Sequence, residues 1–260
     1  MPFIQIYFQA LIVILILMTL LWLVSVVLKN ASIVDPFWGL GFVIVSGFYF
    51  MTGDGFESRK IILLTLVTIW GLRLSVWLAW RNFGKGEDFR YRQFRKNFGE
   101  KRYWWVSYFQ VFLLQGILMW LVSVPLLGAH YYGGTQALNI LDIAGILFWV
   151  TGFVFETGGD YQLARFKADP SNKGKVLDKG LWRFTRHPNY FGDSSVWWGY
   201  GLICLAAGSW LPLIGSLLMT ILIIRVSGVA MLERTLKKEK PGYEEYVRRT
   251  SAFIPWLPRK

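Results

Sequence analysis

The chain opens with 28 residues, Met1 to Leu28, that carry no charged side chain. No other feature limits its fold as strongly. An uncharged apolar stretch of about 18 residues or more can cross the ~30 Å hydrocarbon layer of a bilayer as a helix. The stretch has no basic residue at its start and no clear small-residue cleavage site. It is therefore read as a retained helix and not as a signal peptide. Inside lipid the backbone must satisfy its own hydrogen bonds, which leaves helices or a closed barrel. The outward-apolar, inward-polar alternation of a barrel is missing from this sequence. The expectation is an all-α integral membrane protein.

Similar apolar runs recur along the chain. The expected spans are 4–28, 34–53, 60–82, 104–128, 138–163, 189–207 and 209–232, about seven transmembrane helices. They form one membrane domain over 1–260. Its first part, 1–135, is expected to face a lipid substrate, and its second, 136–260, to bind a cofactor. The formal net charge is +12, from 28 Lys and Arg against 16 Asp and Glu. Eight of these cations lie in Arg81–Arg102, seven in Arg165–Arg186 and eight in Arg234–Lys260. All three clusters flank apolar runs, so they read as cytoplasmic topology signals and contacts to anionic lipid, with no nucleic acid implied. That orientation puts the N-terminus outside, the uncharged Ala129–Asn139 loop outside and the C-terminus in the cytoplasm. A single cysteine, Cys204, excludes an internal disulfide, and two histidines leave little for a metal centre. No metal is expected.

An ionisable residue inside a span marks a functional site by default. Asp35 opens the second span and Arg73 sits midway in the third; Gln110 and Gln115 lie in the fourth. Glu156 and Asp160 fall at i and i+4 on one face of the fifth, with Tyr161 adjacent. Asp193 follows Asn189 by four residues in the sixth, and Arg225 and Glu233 lie in and just beyond the seventh. Asp142, near a helix end, reads as a cap. The plainer reading is buried ion pairs that fix helix register, Arg73 with Asp35 or Arg225 with Glu156.

The stretch Lys-Gly-Leu-Trp-Arg-Phe-Thr-Arg-His-Pro-Asn-Tyr-Phe-Gly-Asp, from Lys179 to Asp193, is too dense in polar groups for pairing alone. It reads as one wall of a site for a charged cofactor. Phosphates call for Arg and Lys, which Arg165, Lys167, Lys175, Arg183 and Arg186 supply. Ring walls and an amide partner come from Trp182, Tyr190 and Asn189. Ribose hydroxyls suit Asp160 or Glu233. No Gly-x-Gly-x-x-Gly follows a strand, so a nucleotide would be held between membrane helices and not in a Rossmann site.

These residues resemble a known family. The segment from Gly152 to Pro255, about 40% of the chain, resembles the C-terminal half of membrane steroid 5α-reductases. It looks closest to an uncharacterised bacterial branch of that superfamily. The matching pieces are Asp160-Tyr161, Lys179-Gly180-Leu181-Trp182, the run Arg186-His187-Pro188-Asn189-Tyr190-Phe191-Gly192-Asp193, and a tail of Tyr243, Tyr246 and Phe253-Ile254-Pro255. Isoprenylcysteine carboxyl methyltransferases share these pieces. The N-terminal half resembles the same branch in Ser32–Gly39 and Arg81–Tyr91. It lacks the Gln-x-Glu and Tyr arrangement by which steroid reductases hold an enone carbonyl; Asp35 stands in for the acid.

The resemblance implies NADPH in a cytoplasm-facing cavity of the last three helices. Asp160 would lie at the adenosine ribose, and Arg165 and Lys167 at phosphates. Asn189 would hold the nicotinamide amide with Asp193 behind it. Trp182 and Tyr190 would pack on rings, and Arg225 and Glu233 would close the cavity. Glu156, Tyr161, Arg186 and His187 complete the expected cofactor set. The expected activity is reduction of an activated C=C in a steroid-like or other lipid-soluble enone, with Asp35 as proton donor and Arg73 as its electrostatic support. The expected partners are that substrate and membrane lipids. The expected state is a monomer in a bacterial inner membrane, with the cofactor site facing the cytoplasm. The second reading is an S-adenosylmethionine-dependent methyltransferase for a lipid or prenylated substrate, in which the Arg-His-Pro segment holds the amino-acid end of the cofactor. A third is a non-enzymatic lipid-binding or scaffolding protein of the same fold.

Overall fold

The computed structural model describes residues 1–227 and 241–259, and in these it is all-helical. Five helical stretches are long and apolar enough to cross a membrane: Phe3–Leu28, Ala31–Thr52, Glu57–Asn82, Glu100–Tyr131 and Ile140–Ala168. The chain is thus read as an integral membrane protein. The expected sixth span is a helix at Pro188–Ala206, with Asn189, Asp193, Ser194 and Ser195 in its first half. The expected seventh is described over Leu213–Arg225, shorter than a crossing; the rest of 209–232 lies outside the described residues beyond Ser227. The difference from seven spans arises because polar residues dilute one helix and the described part of the other is short.

Two compact units can be distinguished. The first comprises Met1–Leu138 with Cys204–Gly215, and the second Asn139–Ile203 with Ser216–Lys260.

In the first unit, α1 (Phe3–Leu28) is apolar all round. One face buries Ile6, Ala10, Ile14 and Met18, while Ile4, Phe8, Ile12, Ile16 and Leu20 stay exposed. Both faces are apolar because both solvents, protein and lipid, are. A short 3₁₀ turn, Ala31–Val34, leads into α2 (Phe37–Thr52), and α3 (Glu57–Asn82) follows. The helices α2 and α3 cross where Gly39 meets Gly71. A Cβ on Gly71 would lie 2.5 Å from the Gly39 carbonyl oxygen, so the crossing requires glycine. Next come α4 (Phe89–Phe98) and α5 (Glu100–Ser107). A π-helical stretch, Tyr108–Leu113, then joins α5 to α6 (Leu114–Val122) and α7 (Val124–Tyr131). Such π turns are rare and often lie at functional positions. This one carries Gln110, whose side-chain oxygen is buried with no hydrogen-bond partner among the described residues.

The second unit is built on α8 (Ile140–Ala168) and α9 (Pro188–Ala206). Asn139 and Asp142 close a reciprocal capping box at the start of α8, the cap expected of Asp142. Along α8, Gly145, Gly152 and Gly159 recur every seven residues and meet Gly199, Gly192, and the Pro188 ring with the Asn189 backbone nitrogen of α9. This stripe of small residues lets the two helices touch backbone to backbone. The helix α10 (Leu213–Ile221) passes into a second π turn, Leu222–Ser227, and α11 (Tyr243–Arg249) lies in the tail.

Candidate functional site

Two polar clusters stand out, one in each unit. In the first, Asp35 sits just ahead of α2, where Pro36 starts the helix. Its Oδ2 accepts from Arg90 Nη2 at 2.9 Å and its Oδ1 from the Tyr91 hydroxyl at 2.5 Å. The amide of Gln115 donates to that hydroxyl at 3.3 Å and its oxygen accepts from Trp38 Nε1 at 2.5 Å. On the other side, Asp88 caps α4 through Arg90 N and accepts from Arg90 Nε at 3.0 Å, while its own N–H donates to Ser32 Oγ. The result is a continuous chain from Trp38 through Gln115, Tyr91, Asp35 and Arg90 to Asp88.

The electrostatics follow from this geometry. Burial and the adjacent Asp35 carboxylate push the Tyr91 hydroxyl far above the ordinary phenol range, so it keeps its proton. Partial burial would raise the Asp88 carboxyl, but its hydrogen bonds to Arg90 outweigh that and hold it below the usual carboxylate range. The ion-pair partner that the structure gives Asp35 is Arg90, where Arg73 was expected. Arg73 is half-buried in α3, its guanidinium 6.0 Å from the centre of the Trp77 ring. Arg90 and Tyr91 escaped the sequence reading because they lie in a basic segment that reads as a topology signal. The clue was the spacing Asp88-Phe-Arg90-Tyr91, which puts an acid, a cation and a phenol on one helical turn.

In the second unit, Gly159 brings α8 and α9 together. Asn189 Nδ2 donates to Asp160 Oδ1 at 3.1 Å, and Trp182 Nε1 donates to the Gly159 carbonyl at 3.1 Å. The positive φ of Gly180, 61°, turns the preceding loop so that Leu181 N reaches Gln162 Oε1 at 3.0 Å. His187 is buried and stacks on Tyr190, with ring centres 5.5 Å apart. Asp160, Trp182, Asn189, Tyr190 and Asp193 are all half-buried, open enough to meet a ligand. Arg165 and Lys167 are exposed at the end of α8.

Other expected residues are placed differently. Arg186, expected to contact the cofactor, is 7% exposed, and its Nη1 donates to the carbonyls of Thr250 at 2.6 Å and Val247 at 3.1 Å. With Arg186 N on Ser251 O, Thr185 Oγ1 on Phe253 O and the Tyr246 hydroxyl on Trp182 O, it fastens the tail. A phosphate could not have these N–H bonds without releasing α11. Tyr161 is 59% exposed, one step round the helix from Asp160. Glu156 is buried where α9 presses Gly192 onto the backbone of α8. Arg225 lies in the π turn with its side chain exposed, and Glu233 falls outside the described residues. Among the described residues no group of His, Cys, Asp and Glu could hold a metal ion.

Sequence reasoning also missed Arg59. It is completely buried at the start of α3 and donates to the carbonyls of Gly133, Thr135 and Ala137. The uncharged loop expected there is thus held by a buried cation from another element.

A family profile described as "Protein of unknown function (DUF1295)" matches residues 21–250. The chain belongs to this family. An uncharacterized protein of Schizosaccharomyces pombe is 26% identical over 93% of this chain and 77% of its own length. A Delta(14)-sterol reductase of Ascobolus immersus is 30% identical over 52% of this chain. The Ustilaginoidea virens protein named "Probable O-methyltransferase ustE" is 30% identical over 35% of it. These matches span only 33% and 31% of those two relatives. Such distant similarity to both a reductase and a methyltransferase is consistent with the superfamily that the motifs resemble. No solved structure matches the chain significantly.

Proposed function

We propose that this DUF1295 protein is a membrane oxidoreductase that uses NADPH to saturate an activated C=C of a lipid-soluble enone. The observation that carries the reading is the Asp160–Asn189 pair at the Gly159 crossing, with Trp182 and Tyr190 beside it. An acid, a primary amide and two half-buried rings in one place suit a ribose, a carboxamide and a nicotinamide ring. The 30% identity to a sterol reductase supports the same class.

When bound, NADPH supplies a hydride. The chain's own residues do the rest. Asp160 accepts from a ribose hydroxyl, and the Asn189 amide pairs with the carboxamide, with Asp193 behind it on α9. Arg165 and Lys167 meet phosphates. Arg186 is not assigned to the cofactor, because it holds the tail. In the other cluster Asp35 is the acid: its protonated carboxyl gives the proton to the substrate oxygen and is reprotonated by water, while Tyr91 and Arg90, 2.5 and 2.9 Å away, hold the carboxylate left behind. Arg73 adds positive charge from α3.

The same reading takes α9 and the segment from Leu213 onward as the sixth and seventh crossings. Nineteen helical residues in α9 rise about 28 Å, near the hydrocarbon thickness. The basic clusters then put the N-terminus outside and the C-terminus and cofactor residues in the cytoplasm, with residues 1–135 on the lipid-substrate side. The protein acts as a monomer.

The test is a thermal shift on detergent-purified protein with NADPH, NADH and S-adenosylmethionine, for wild type and Asn189→Ala. A shift with NADPH that disappears in the variant supports the reductase. A shift with S-adenosylmethionine alone moves the protein to the methyltransferase class, the reading that the similarity to the O-methyltransferase favours. No shift with any of the three ends the enzymatic reading.

A further inference from the structure

A cavity of about 510 Å³ opens at the C-terminal end of α1, within the size range of small-molecule sites. It belongs to the first unit and shares no residue with the Asp35 chain or the Asp160–Asn189 pair. Its charged lining is Lys29, Arg95 and Glu100; its polar lining is Ser25, Tyr103 and Ser107. Lys29 and Glu100 are exposed and neither makes an ion pair among the described residues. Arg95 is already neutralised, its Nη2 2.8 Å from Glu87 Oε1 and its Nε 3.0 Å from Oε2. Outside the Arg95–Glu87 ion pair the wall therefore offers one cation, Lys29, and one anion, Glu100, which lies near enough to Arg95 to act on its charge but makes no ion pair with it among the described residues.

The neutral groups narrow the chemistry further. The hydroxyls of Ser25 and Ser107, buried in the cavity wall, give their protons to the Trp22 and Trp104 carbonyls of their own helices, so what each oxygen has left to offer is acceptor capacity. The Tyr103 hydroxyl is buried with no hydrogen-bond partner among the described residues. Hydroxyl acceptors and a carboxylate serve an N–H donor, and a lone lysine serves a phosphate. Around the opening the surface is apolar: Val27 is 81% exposed, and Leu28, Trp104 and Trp105 are exposed as well. This is the height at which α1 ends its 26 residues and the chain leaves the hydrocarbon.

We propose that this cavity binds the headgroup of a zwitterionic, primary-amine glycerophospholipid of the phosphatidylethanolamine type. Lys29 takes the phosphate. Glu100 and the two serine hydroxyls take the ammonium, and the acyl chains lie on the exposed apolar face of α1 and α5. A trimethylammonium headgroup has no N–H for the serines, and an anionic headgroup leaves Glu100 unmatched.

The experiment uses the full chain in detergent, delipidated and titrated with phosphatidylethanolamine, phosphatidylcholine or phosphatidylglycerol of the same acyl chains, read by thermal midpoint and native mass spectrometry. Phosphatidylethanolamine is expected to bind most tightly. Glu100→Gln should weaken it about tenfold and erase its lead over phosphatidylcholine, while Lys29→Gln weakens both, as expected for one charged hydrogen bond. Soluble phosphoethanolamine at equal concentration should give no shift, because it lacks the chains. Equal binding of all three lipids, a preference for phosphatidylglycerol, or a phosphoethanolamine shift as large as the lipid's would each overturn the proposal. Both substitutions are at exposed positions, and the wild-type comparison decides the matter even if a variant fails to fold.

Discussion

The Asp35 chain in the first unit and the Arg186 anchor in the second each engage an arginine, half-buried Arg90 in one and buried Arg186 in the other, yet they are built in opposite ways. Asp35 gathers side chains from two separate parts of the chain: Arg90 and Tyr91 from α4, and Gln115 from α6 through Tyr91. Arg186 spends itself on main-chain carbonyls of Val247 and Thr250. Side-chain partners can change their hydrogen bonds when a substrate arrives; main-chain partners of a folded tail cannot without unfolding it. The first arrangement is therefore suited to moving a proton and the second to holding a shape.

Substitutions test that contrast, and the largest effect should come from the first cluster. Asp35→Asn removes the acid but keeps the shape of its side chain. Turnover of an enone should fall by about 10²–10⁴-fold with the NADPH thermal shift intact, as for loss of a general acid. If Asp35→Asn and Arg73→Ala both keep full turnover, the roles given to those residues are wrong. Arg186→Leu strands two carbonyls and should lower stability by about 2–4 kcal/mol. Limited proteolysis should then cut near Tyr243–Arg249 before it cuts the membrane helices. A tail that stays protected would mean that Thr185 and Tyr246 suffice to hold it.

Gly192→Ala would press a methyl onto the Glu156 backbone of α8. A loss of about 1–3 kcal/mol in chemical denaturation is expected, with weakened nucleotide binding because the Asp160–Asn189 register shifts. Asn139→Ala removes one half of the capping box at α8 and should lower stability by about 1 kcal/mol, without touching turnover. The smallest effect concerns pH. Asp88 is held below its ordinary range, so its contribution is complete above the unfolded-state pKa and is lost as pH falls through the lower folded one. The thermal midpoint should decline below the usual carboxylate range, and Asp88→Asn should flatten that decline.

Much of the helical layout was legible in the residues. Long uncharged runs place helices because lipid allows the backbone little else, and Asn139 with Asp142 announces a cap by spacing alone. Asp160 and Asn189 were each legible as site candidates, but their direct pairing across 29 residues came only from the α8–α9 contact. Tyr91 and Arg90 were not legible, because a basic loop looks the same whether its arginines face water or a buried carboxylate. Arg186 was misread for the related reason that a guanidinium suits a phosphate and a row of carbonyls equally well.

What could be known from the residues alone was therefore the class of the molecule: membrane helices and a polar wall near residue 187. Partners had to come from the folded chain. From Ala10 to Met18 every side chain of α1 is apolar, so nothing in the sequence says that Ile14 is buried and Ile16 exposed. The hydrophobic effect sorts residues between water and core, but it does not sort them between core and lipid. Which helix faces meet, and which carboxylate receives which cation, is decided by packing at positions such as Gly39 and Gly71, where two backbones come close enough to fix everything beside them.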